Sequence, residues 1–199
     1  YLRRNGNPGG WFGDKSRSGG GPLIDLGVHM IDLSMWLMGN PTPVAVTGCT
    51  YTKFADTEVS DSVNSFFGEK KANGIFDVED LAMGFIRFDN GACLQIEFSW
   101  ASNIKAEDNF VELRGTKSGA KLSMQKGLEI FSESYGQLTD ITPVIDDLKG
   151  IPQHEANLRH FLDVLDGAKP DFVPEQGVNM IKILEAMYRS AELGHEITL

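Results

Sequence analysis

Asp25, His29 and Asp32 stand four and three residues apart in the run Gly19-Gly20-Gly21-Pro22-Leu23-Ile24-Asp25-Leu26-Gly27-Val28-His29-Met30-Ile31-Asp32. On a helix this spacing puts all three side chains on one face. Histidine, with an unperturbed pKa of about 6.5, both takes and returns a proton near neutrality. A carboxylate one turn earlier can orient the imidazole and favour its protonated form, which suits a group that accepts a proton from an alcohol. Two other readings of the same residues stay open: Asp25 as a capping acid with His29 facing solvent, and a metal site of carboxylate, imidazole and carboxylate ligands.

The element that must position these residues is a helix over 22–39, opened by the glycine run and stopped by Gly39. Val28, Ile31, Met35 and Leu37 supply its apolar cover. The ordered pattern of a glycine run followed by Asp25-x-Gly27-x-His29-x-x-Asp32 resembles the signature of the Gfo/Idh/MocA family of oxidoreductases. Val78-Glu79-Asp80 followed by 81–100, and Lys182-Ile183-Leu184-Glu185-Ala186-Met187-Tyr188-Arg189-Ser190-Ala191, are similar to that family's later sheet and terminal helix.

The resemblance places all 199 residues in the second, α+β domain of a two-domain enzyme. It implies a substrate and oligomerisation domain whose own N-terminal Rossmann domain lies outside this sequence, with NAD(H) or NADP(H) held mainly by that absent domain. It further implies His29 and Asp25 as the catalytic pair, Asp32 as a substrate ligand, and a sugar, polyol or related secondary alcohol as substrate. The family's Glu-Lys-Pro motif is absent, and Glu69-Lys70-Lys71 is no substitute for it. No Gly-x-Gly-x-x-Gly occurs, so this chain alone is expected to be inactive. A non-catalytic sensing or assembly module that keeps the fold is the competing reading. The acid-base pair speaks against it, because a binding module needs no proton relay.

The glycine-rich stretch 1–21 reads as a loop without regular structure that carries Trp11 and Phe12. The family reading makes Trp11, Asp14 and Lys15 candidate substrate contacts; alternatively, Trp11 and Phe12 staple the loop to the core.

The run 44–54 reads as a strand, and 82–88 with 92–100 as a hairpin closed by Asp89-Asn90-Gly91. Along its second arm Leu94, Ile96, Phe98 and Trp100 share one face; Cys93, Gln95, Glu97 and Ser99 share the other. Short strands are expected at 110–114, 121–124 and 128–131. The stretch 55–79 is an excursion of undeciphered form, with Asp56, Glu58, Asp61, Glu69, Lys70 and Lys71. Helices follow, one containing Leu158, Phe161, Leu162 and Leu165, the other opened by Pro174 and carrying Val178, Ile181, Leu184 and Tyr188.

The expected fold is therefore a single α+β domain over 1–199: loop 1–21, motif helix 22–39, a mainly antiparallel sheet region 43–145, and C-terminal helices with an end strand over 152–199. With helices on one face only, the open face is expected to mediate self-association.

A net charge of −10 argues against nucleic acid. No apolar run is long enough to span a bilayer, and a start at Tyr1 without a signal-peptide pattern fits a piece of a larger soluble protein. Cys49 and Cys93 suggest neither a disulfide framework nor zinc, which leaves a reducing cytoplasm as the default. His154 and His160 do not match metalloprotease spacing and read as ordinary helix-end or surface residues.

Overall fold

The computed structural model describes residues 1–4, 6, 8–53, 75–144 and 152–199. Asp56, Glu58, Asp61, Glu69, Lys70 and Lys71 lie outside the described residues. The class is α+β, with two antiparallel four-stranded sheets. Two compact units divide the chain: Tyr1–Val111 with Val178–Leu199, and Glu112–Gly177.

The first unit holds the sheet β3-β2-β1-β8, formed by β1 (Pro43–Tyr51), β2 (Leu81–Phe88), β3 (Cys93–Ser99) and β8 (Ile197–Thr198). The β2–β3 hairpin runs in the register Ala82 opposite Phe98, Gly84 opposite Ile96 and Ile86 opposite Leu94. Its turn differs from the tight Asn-Gly form: Gly91 takes a positive φ of 84° while Asn90 does not. Gly91 N–H donates to the Phe88 carbonyl and Phe88 N–H to the Ala92 carbonyl, so only one residue needs the left-handed region.

Alternation along these strands points one row of side chains inward. Val46, Ala82, Ile86, Ile96 and Phe98 are buried there against Leu23, Ile31 and Met35 of the motif helix and Ile183 and Met187 of helix α4 (Pro174–Leu193). Full burial of side chains of this size is worth about 1.5–3 kcal/mol each, enough to fix the motif helix on the sheet. The outer row includes Thr47, Phe85, Cys93, Gln95 and Glu97, all exposed. Ser99, expected in that row, is instead fully buried: Leu2 bridges to it, its backbone pairs with Tyr1 and Arg3, and its hydroxyl donates to Ser102 Oγ. Leu37, expected as apolar cover, is exposed, whereas Ile31 and Met35 are buried as expected.

The second sheet has the order β4-β5-β6-β7, with β4 (Phe110–Arg114), β5 (Gly119–Ser123), β6 (Gly127–Ser134) and β7 (Gln137–Ile141). β7 was not expected, because Gln137 and Asp140 weaken its strand character. Its signal is the Tyr135-Gly136 turn, where both residues take a positive φ, the geometry that closes a two-residue hairpin. Helix α3 (Gln153–Leu165) lies in this second unit, so the helices that pack on the first sheet are the motif helix and α4.

Candidate active site

The motif helix has two parts, a π-helical turn at Leu23–Gly27 and an α-helix, α2, at Val28–Leu37. Pro22 at its start supplies no side-chain cap. The missing acceptor comes from a residue distant in sequence: buried Glu79 accepts from Gly21 N–H at 3.0 Å through Oε2, and from Leu23 N–H at 3.1 Å through Oε1. Tyr188 Oη–H donates to the same Oε1 at 3.0 Å. Burial pushes the Glu79 carboxyl above its usual range, opposed by these donors. The Tyr188 hydroxyl is raised as well, by burial and by the neighbouring carboxylate.

This packing explains the glycines. A Cβ on Gly21 would lie 1.9 Å from the Glu79 carbonyl oxygen, and one on Gly20 2.1 Å from Tyr188 Oη. A Cβ on Gly27 would meet the Phe98 ring at 2.9 Å, so the glycine between Asp25 and His29 lets the helix lie against β3. π-turns inside helices recur at functional sites, and this one carries Asp25.

Asp25 is half-buried, and its Oδ2 accepts from Trp100 Nε1–H at 2.9 Å. Trp100, fully buried, is edge-on to Phe12 (centroids 6.5 Å apart) and to Phe76 (6.3 Å). Phe12 is stacked on Trp11 at 4.4 Å, and Trp11 is 46% exposed. A continuous aromatic path thus runs from a solvent-facing indole to the Asp25 carboxylate.

His29 and Asp32 are exposed, as is Trp36 (58%), and the three form a solvent-facing stripe along α2. The expected Asp25 to His29 hydrogen bond is not formed: the Asp25 carboxylate is engaged by Trp100, and no hydrogen bond to His29 is found among the described residues. Among the described residues no three His, Cys, Asp or Glu side chains are grouped as a metal ion requires.

The loop 1–21 contains a regular element that its glycine content hid, the single turn α1 (Lys15–Ser18). Asp14 caps it, accepting from Ser16 N–H at 3.0 Å and from Ser16 Oγ–H at 2.6 Å, which gives this carboxylate a structural task. Lys15 N–H donates to Asp77 Oδ1 at 2.7 Å, and the Lys15 residue is exposed. Glu79 and Trp100 were not singled out as site residues. The sequence signal for Glu79 is its place in the family-like run Val78-Glu79-Asp80 before a strand, and for Trp100 its place at the end of the apolar row of β3.

The helix start does not fit the phosphates of a dinucleotide, because the backbone donors at Gly21 and Leu23 are already taken by the Glu79 carboxylate. No helix among the described residues is long and apolar enough to cross a membrane.

Residues 2–199 match a family described as the oxidoreductase family, C-terminal alpha/beta domain. The D-glucoside 3-dehydrogenase of Escherichia coli (strain K12) is 33% identical over 204 residues, covering 100% of this chain and 54% of the relative. The chain thus spans about half the length of that curated relative. Among solved structures, GenD2 from gentamicin A biosynthesis, in complex with NAD, is 28% identical at a TM-score of 0.68, covering 99% of this chain and 53% of that one. A levoglucosan dehydrogenase in complex with NADH shares the fold at a TM-score of 0.75 and 20% identity, over 96% of this chain and 53% of its own. With the glycines, Asp25 and His29 of the motif helix seated as described and the match running across almost every residue, the chain belongs to the Gfo/Idh/MocA family of oxidoreductases.

Proposed function

We propose that this chain is the catalytic and substrate-binding part of an oxidoreductase that moves a hydride between a nicotinamide and a secondary alcohol of a sugar, polyol or related compound. The observation that carries this reading is the Asp25–His29 helix: a titratable imidazole on the solvent side of a helix whose base is locked to the sheet. His29 takes the proton from the alcohol oxygen as the carbon is oxidised to a carbonyl, and returns it in the reverse direction. Asp25, half-buried one turn before His29, is the second polar group of the site; its anchor to Trp100 keeps its carboxylate from swinging away. Asp32 and Lys15 bind substrate hydroxyls, and Trp11 offers its exposed ring to the apolar face of a sugar.

The oxidant is NAD or NADP, held by an N-terminal Rossmann domain outside this chain; among the described residues the helix-start donors at Gly21 and Leu23 are already taken by Glu79. The exposed outer row of the first sheet, with Phe85 49% exposed between Thr47 and Gln95, is the surface for self-association. The setting is cytoplasmic, and the isolated chain is inactive without its dinucleotide-binding half.

A panel of glucosides, polyols and oxo-sugars, tested against this chain joined to that half with both nicotinamide cofactors, tests the proposal. Formation of reduced nicotinamide with at least one polyhydroxylated alcohol is expected; no turnover with any of them contradicts it and favours a non-catalytic assembly or sensing module. A strictly monomeric mass in light scattering across concentrations contradicts the self-association.

A further inference from the structure

Glu79 has no part in the proton transfer described above, yet it is buried and makes three hydrogen bonds at the base of the helix that carries Asp25 and His29. A buried carboxylate is costly to desolvate. A helix start needs only a local serine or aspartate to satisfy its N–H groups, and Pro22 provides none. The acceptor is recruited instead from 56 and 58 residues away in sequence. A remote cap does what a local one does not: it ties the helix start to the sheet through the approach to β2, and to α4 through Tyr188.

The link to the site is short. Gly21 donates its N–H to Glu79, and its carbonyl accepts from Ile24 N–H at 3.1 Å and from Asp25 N–H at 3.0 Å. One residue therefore separates the Glu79 carboxylate from the backbone of Asp25. The near-contact positions at Gly20 and Gly21 leave no slack for that turn to move toward Tyr188 or Glu79.

We propose that Glu79, held by Tyr188, is a positioning residue for the Asp25–His29 helix, fixing the depth and rotation of its π-turn and hence the placement of both groups. The catalytic part of this inference rests on the proton-transfer reading above; the structural part does not. The Trp100 indole N–H, bonded to Asp25, reports on the placement directly, because its NMR resonance depends on that hydrogen bond.

The test uses Glu79→Gln, Tyr188→Phe and, as a benchmark, Asp25→Asn in the full-length protein. Glu79→Gln is expected to displace the Trp100 indole resonance in the same sense as Asp25→Asn and to lower kcat about tenfold with KM little changed, since small misplacements of reacting groups are costly. Tyr188→Phe should act in the same sense and less strongly, because the two backbone donors to Glu79 remain. If Glu79→Gln does not fold, Tyr188→Phe carries the same two readouts. Loss of melting temperature with the indole resonance unmoved and kcat at the wild-type value overturns the proposal. If the protein oxidises no alcohol, the indole resonance alone still decides it, so failure of the functional reading and failure of this one are separable.

Discussion

The two sides of the motif helix are built on opposite terms. At its base, Gly21, Leu23, Gly27 and Asp25 are tied to Glu79, Phe98 and Trp100, with nearly every polar group satisfied and little room for an added atom. On the solvent side His29, Asp32 and Trp36 are exposed. The contrast separates residues that hold the helix from residues free to meet another molecule. Function needs both, since an exposed imidazole acts on a substrate reproducibly only if the backbone beneath it is fixed.

Substitutions on the two sides should therefore divide cleanly, and the base should give the largest stability effects. Gly21→Ala forces backbone against backbone at the Glu79 carbonyl and is expected to lower unfolding free energy by about 3 kcal/mol, read by urea denaturation. Glu79→Ala leaves two backbone donors and the Tyr188 hydroxyl without their acceptor, a loss of about 2 kcal/mol by the same measurement. Trp100→Phe removes the donor to Asp25 and trims a buried ring, with a loss of about 1–2 kcal/mol. On the solvent side, Asp32→Ala should change stability by no more than about 0.5 kcal/mol. An equal loss at Asp32 and at Glu79 would erase the distinction.

The base also has a pH signature. Because burial raises the Glu79 carboxyl above its ordinary value of 4.5, the folded state holds that proton more tightly than the unfolded chain does. The stability this contributes is complete below 4.5 and is lost as pH rises through the folded-state value. The stability difference between wild type and Glu79→Gln should therefore shift against the wild type as pH rises from 4.5, a sign that chemical denaturation at several pH values can check. A difference that is flat with pH contradicts this account of the carboxyl.

Much of the frame was legible in sequence because its signals are local. The alternation Leu94, Ile96, Phe98 placed the inner row of β3, Gly91 marked a hairpin, and Pro174 marked the start of α4, although Val178 and Ile181 of its expected apolar face are exposed and Met180, Ile183 and Met187 are buried beside Leu184 instead. The position of the motif helix was equally plain. What was hidden depends on partners far along the chain: Glu79 bonding Gly21, Trp100 taking the Asp25 carboxylate that had been assigned to His29, and Leu2 covering Ser99. Residue spacing gives the face a side chain points from but not the donor that will claim it. The π-turn was illegible as well, since a spacing of four residues is compatible with one face in either kind of helix.

The central claim is that His29 carries the proton while others hold the frame. Turnover and melting temperature of His29→Ala, in the chain joined to its dinucleotide-binding half, test it most directly. The account predicts a melting temperature close to wild type with alcohol oxidation reduced by about 10²–10⁴. Near-normal turnover in that variant contradicts it.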